Sequence, residues 1–101
     1  MTELPVACSL DAAAVGAREE EIRGLFAAAL QGWKRDGDRL TLRFGAGAGD
    51  RVDALAAAER ECCGFLEISV RPGPVLVLEA PAGAGEALTG FTELAREALP
   101  G

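Results

Sequence analysis

The chain contains no histidine and no tyrosine. Without histidine it has no side chain that ordinarily titrates near neutrality, no imidazole metal ligand, and neither the Ser-His-Asp nor the Cys-His arrangement of nucleophilic catalysis. Cysteine is sparse too. Three is an odd number, and the N-terminus Met1-Thr2-Glu3-Leu4-Pro5 has no basic region of a secretory signal, so reduced thiols are a better reading than a disulfide framework. No apolar run approaches the roughly 20 residues that a membrane helix needs. Basic residues are outnumbered, 10 to 16, for a formal charge of −6, which disfavours a nucleic-acid backbone or an anionic membrane surface as partner. The expectation is a cytoplasmic protein that engages neither nucleic acid nor membrane, with a homodimer as a possible assembly.

What is present is a core. Half of the 101 residues are hydrophobic, enough for one compact domain over residues 1–101 and too few for two. Val6-Ala7-Cys8-Ser9-Leu10 alternates and reads as a short first strand with Cys8 inward. Asp11 or Ser9 caps a helix running to about Leu30, with Val15, Ile22, Leu25, Phe26, Ala29 and Leu30 as its buried stripe and Gly32 as its C-terminal stop. The run Glu19-Glu20-Glu21 reads as the solvated face of that helix. Asp36-Gly37-Asp38 between Trp33-Lys34-Arg35 and Arg39 to Phe44 predicts a hairpin, with Leu40, Leu42 and Phe44 buried and Trp33 as a lid over the sheet edge.

The stretch from Gly45 to Asp50 lacks both the Gly-Lys-Ser/Thr ending and the Gly-x-Gly-x-x-Gly fingerprint of phosphate-binding loops. It is expected to be a flexible linker with Asp50 capping a second helix from about Arg51 to Cys63. Gly64 then ends that helix. Phe65 to Arg71 and Val75 to Glu79 form an antiparallel pair around Pro72-Gly73-Pro74, and a last helix spans about Ala84 to Leu99. The order predicts an α+β fold: a mostly antiparallel sheet of about five short strands with three helices packed on one face.

Two of the three cysteines are adjacent, Cys62 and Cys63, at the helix-to-strand junction. Glu59 stands three and four residues before them on the otherwise apolar side of the helix. Successive Cα atoms are about 3.8 Å apart, below the ~4.4–6.8 Å that disulfides prefer, so a Cys62–Cys63 bond would be strained. The helix C-terminus, Glu59 and Glu61 all disfavour a free thiolate, which weighs against a resting nucleophile and against an enzyme. A soft cation brings its own positive charge and deprotonates the thiols it binds. A site of two or three sulfurs without nitrogen ligands suits Hg(II), As(III) or Cu(I) better than four-coordinate zinc.

Three readings follow. The first is a metal-binding protein using Cys62 and Cys63, with Cys8 as third ligand, Glu59 as a polar group behind them and Arg60 as a charge partner for Glu59 or a neighbouring acid. The second is thiol redox chemistry in which Cys8 resolves an oxidised Cys62 or Cys63. The third is a structural or partner-binding module whose cysteines are inert small hydrophobes.

At these residues the chain resembles a family of small bacterial proteins. They share an Ala-Cys-Ser/Thr-Leu opening, a Glu-Arg-x-Cys-Cys-x-Phe-Leu segment, and a Gly-Pro-x-x-Leu-x-Leu strand followed by Pro-x-Gly. Here these are Ala7-Cys8-Ser9-Leu10, Glu59-Arg60-Glu61-Cys62-Cys63-Gly64-Phe65-Leu66, Gly73 to Leu78, and Pro81-Ala82-Gly83. Members are often associated with heavy-metal resistance and mercury-responsive regulators, which the resemblance implies as a setting for this chain. Gly64 stands where Pro or Arg commonly follows the two cysteines.

Overall fold

The computed structural model describes residues 12–62 and 65–100, and for residues 12–18 and Cys62 the backbone alone. The elements are α1 (Ala12–Ala29), β1 (Leu30–Asp36), β2 (Arg39–Phe44), α2 (Gly49–Cys62), β3 (Glu67–Arg71), β4 (Val75–Glu79) and α3 (Thr89–Ala98), with single 3₁₀ turns at Ala46–Ala48 and Gly85–Leu88. The strands form an antiparallel sheet in the order β1-β2-β4-β3. The α+β class is as expected. Among the described residues the strands number four; the expected first strand, Val6 to Leu10, lies outside them.

The period-two alternation of β2 decides which face is buried. Leu40, Leu42 and Phe44 are at most 1% exposed, whereas Arg39 and Arg43 on the other face are exposed. Leu40 and Leu42 stand opposite Leu78 and Leu76 of β4. Ile22, Leu25 and Phe26 of α1, Val52, Leu55 and Ala56 of α2, and Phe91, Leu94 and Ala95 of α3 close over them in one cluster. Phe26 and Phe44 meet at a tilted angle with centroids 5.7 Å apart, a geometry that aromatic quadrupoles favour. All three helices therefore share one side of the sheet.

The β1–β2 turn has two central residues, Gly37 and Asp38, between the paired Asp36 and Arg39. Of these only Gly37 has a positive φ, 62°, the II′ pattern with glycine at the first central position. Two local expectations are corrected. α1 does not run on to a stop at Gly32: it ends at Ala29 and the chain enters β1 directly, because the Ala29 carbonyl accepts the Gly45 N–H at 3.0 Å and Leu30 pairs with Phe44. Gly32 is a strand residue over which the Arg43 guanidinium lies. Nor is the segment from Gly45 a flexible linker with Asp50 as cap. Gly45 anchors it, Ala48 donates back to the Gly45 carbonyl at 3.0 Å and is buried, and Asp50 already lies in the first turn of α2.

The acidic run is solvated, as expected of a charge run on a helix. Arg23 gathers Glu19 and Glu20 on its own helix and reaches Glu97 of α3 at 2.8 Å. The Glu97 hydrogen bond, opposed in part by desolvation and helped by the three carboxylate charges, holds this guanidinium above its ordinary value. Among the described residues no helix is long and apolar enough to cross a membrane.

Candidate functional site

α2 carries the residues that matter. Val52, Leu55, Ala56 and Glu59 fall at i, i+3, i+4 and i+7, one stripe of a helix, and all four are buried, Glu59 to 4% exposure. The expectation that Glu59 sits on the apolar side of this helix is met. A carboxylate is rarely buried to that degree unless it is engaged, and Glu59 does have an interaction partner. Cys62 is the last residue of α2 and β3 begins at Glu67. Cys8 and Cys63 lie outside the described residues, as does the side chain of Cys62.

The junction is fixed from both sides. Leu66 is buried in the core cluster, immediately before β3. Arg60 turns outward and donates through Nε and Nη2 to the Ile68 carbonyl at 3.3 and 3.1 Å. Its guanidinium is thus used on the backbone of β3, a contact the sequence reading, which paired Arg60 with Glu59 or a neighbouring acid, did not foresee. The reason is position: β3 is an edge strand, and a carbonyl on a free edge needs a donor. Glu61 and Phe65 flank the junction in solvent, and at 42% Phe65 is the one large hydrophobic side chain exposed among the described residues.

Chemically, the arrangement offers a buried carboxylate one helical turn before the paired cysteines, at the negative end of a helix dipole. Among the described residues no cluster of three or more His, Cys, Asp or Glu could hold a metal ion; with no histidine in the chain and no cysteine side chain described, this concerns carboxylates only.

A second polar cluster escaped the sequence reading. Arg35 of β1 donates to the Gly37 carbonyl at 2.7 Å, to Thr92 Oγ1 at 2.9 Å and to the Gly85 carbonyl at 2.7 Å. Asp38 accepts the Gly83 N–H through Oδ2 at 3.2 Å, and its carbonyl accepts the Ala80 N–H at 2.8 Å. These bonds tie the β1–β2 turn to the chain entering α3. The only sequence signal was Gly85, where a Cβ would meet Asp38 and Arg35. Trp33 is the expected lid: its Nε1 donates to the Leu99 carbonyl at 2.7 Å and the Arg96 guanidinium stands 5.4 Å from its ring centroid. With Lys34 and Arg35 they border an open depression of about 550 Å³ beside β1.

No family model matches this chain, and neither does any curated protein or solved structure.

Proposed function

We propose that the protein binds a soft metal ion, Hg(II), As(III) or Cu(I), through the thiolates of Cys62 and Cys63 with Cys8 as third ligand, in metal resistance or sensing. The observation that supports this reading is Glu59, a carboxylate 4% exposed on the stripe of α2 that leads to the two cysteines. Negative charge held there raises the cost of a free thiolate but complements a cation. Each thiol that coordinates releases its proton to solvent, so binding strengthens as pH rises toward the ordinary thiol range. The Arg60–Ile68 contact supports the same reading, because it holds the helix end and the strand start at a set distance across the junction.

Reduced protein titrated anaerobically with Hg(II), arsenite, Cu(I) and Zn(II), followed by thiolate-to-metal absorption and native mass, tests the proposal. One soft ion per chain is expected, with loss of binding in Cys62→Ser/Cys63→Ser and weaker binding in Cys8→Ser. Affinity no greater than that of a free dithiol would overturn it.

A further inference from the structure

We propose that the open face of the sheet is a self-complementary docking surface for a second copy of this chain. All three helices cover the other face, and no described element packs on this one. The strand register sorts its side chains into three rows. The row nearest the β1–β2 turn reads Asp36, Arg39, Glu79, Glu67 across β1, β2, β4 and β3. The middle row reads Lys34, Thr41, Val77, Ser69. The far row reads Gly32, Arg43, Val75, Arg71.

The charges are separated by row. Arg39 is committed to Glu79 at 3.6 Å, which leaves Asp36 and Glu67 as the net charge of the first row. The far row holds Arg43 and Arg71 and no acid. Because the Arg43 guanidinium lies over Gly32, its charge belongs spatially to β1. Each edge strand thus presents a carboxylate at one end and a guanidinium at the other: Asp36 and Arg43 along β1, Glu67 and Arg71 along β3.

Two copies stacked face to face about a two-fold axis that runs across the strands keep strand over strand and reverse strand direction. That operation sets Asp36 against Arg43 of the second copy and Glu67 against Arg71 of the second copy, each pair made twice, as an isologous contact requires. The middle row, Thr41, Val77 and Ser69, lies opposite its own copy. Val77 is 6% exposed in a single chain, so it adds little area, and the opposed charged rows on either side carry the recognition. Lys34 meets its own copy at the rim, where water makes the repulsion small.

The rest of the molecule argues for this face in particular. A chain of formal charge −6 repels its own copies in most orientations, whereas this face has four cations (Lys34, Arg39, Arg43, Arg71) to three carboxylates (Asp36, Glu67, Glu79). Opposed rows convert a general repulsion into one favoured orientation. The inference is independent of the thiol reading.

Sedimentation equilibrium of the full chain, reduced and metal-free at low salt, tests it. A reversible dimer is expected, unchanged in Cys62→Ser/Cys63→Ser and weakened by added salt. Glu67→Arg and Arg71→Glu should each weaken association by about tenfold or more, and the two together should restore it to within about threefold, because the swap rebuilds the pair. Asp36→Arg with Arg43→Glu provides a second, separate swap; all four positions are exposed, and circular dichroism verifies their folding. A wild type that stays monomeric to millimolar concentration, single reversals without effect, or a double swap as weak as its singles would each overturn the proposal.

Discussion

Arg60 and Ile68 lie on opposite sides of the cysteine junction and are joined by a forked contact from one guanidinium to one carbonyl, at 3.1 and 3.3 Å. The bond covers part of the free edge of β3 and places a cation in the last turn of α2, where the helix dipole favours it. Arg60→Ala should lower the unfolding free energy by about 1 kcal/mol, a fall of roughly 4–8 °C in Tm for a domain of this size. Arg60→Lys keeps the charge and loses the fork, so its loss should be intermediate. Thermal melts of the three proteins check this, and equal Tm values would show that the contact contributes nothing.

Glu59 separates stability from binding. Glu59→Ala removes an engaged buried carboxylate and leaves a cavity on the buried stripe of α2, a loss of roughly 2–4 kcal/mol. Glu59→Gln preserves the volume and removes the charge, so its stability cost should be smaller. If the carboxylate supports a thiolate-bound cation, Glu59→Gln should also weaken Hg(II) or Cu(I) binding by about tenfold, the scale of a group that acts behind metal ligands. Denaturant melts report the first effect and chelator competition the second. A Gln variant that binds as tightly as wild type would detach Glu59 from the metal site.

What was legible in the sequence was periodic. The alternation of Leu40, Leu42 and Phe44 fixed the buried face of β2, and the three-and-four spacing of Val52, Leu55, Ala56 and Glu59 fixed the buried stripe of α2, so the misplaced acid could be recognised before any coordinates. The Asp-Gly turn was legible because few residues tolerate positive φ. What stayed hidden depended on partners distant in the chain. The end of α1 at Ala29 is set by Phe44 and Gly45, and Arg60 goes to Ile68 because β3 is an edge strand, a property of topology that no local pattern carries. The Arg35 cluster joins residues 57 and 50 positions apart, beyond the reach of spacing arguments.

The glycines near the two 3₁₀ turns should behave oppositely. A Cβ on Gly85 would meet Asp38 Oδ1, and would stand 3.1 Å from Arg35 Nη2 and 3.3 Å from the Gly37 carbonyl. Since Arg35 and Asp38 are both held by hydrogen bonds, Gly85→Ala should cost about 1–3 kcal/mol as overpacking. Nothing lies within 4 Å of a Cβ on Gly47, and its φ is not in the left-handed region. Gly47→Ala should therefore be neutral or stabilise by roughly 0.4–1 kcal/mol through the unfolded chain. Urea denaturation compares the two; a destabilised Gly47→Ala would contradict the ordered turn at Ala46–Ala48.

Trp33 is the only tryptophan, and its two contacts can be dissected because they use different parts of the ring. Trp33→Phe keeps an aromatic face beneath Arg96 and removes the N–H that donates to Leu99, so a loss of about 1 kcal/mol is expected, read by circular dichroism since the fluorophore is gone. Arg96→Ala removes the cation and keeps the N–H; an exposed cation–π contact is worth about 0.5–1 kcal/mol. Both substitutions loosen the hold of the side chain at position 33 on the end of α3, so the double variant should lose less than the sum of the two singles, as contacting residues do. Strict additivity would mean that Arg96 and Leu99 hold the lid independently. It would also mean that Trp33 is secured by its hydrogen bond whether or not the cation is present.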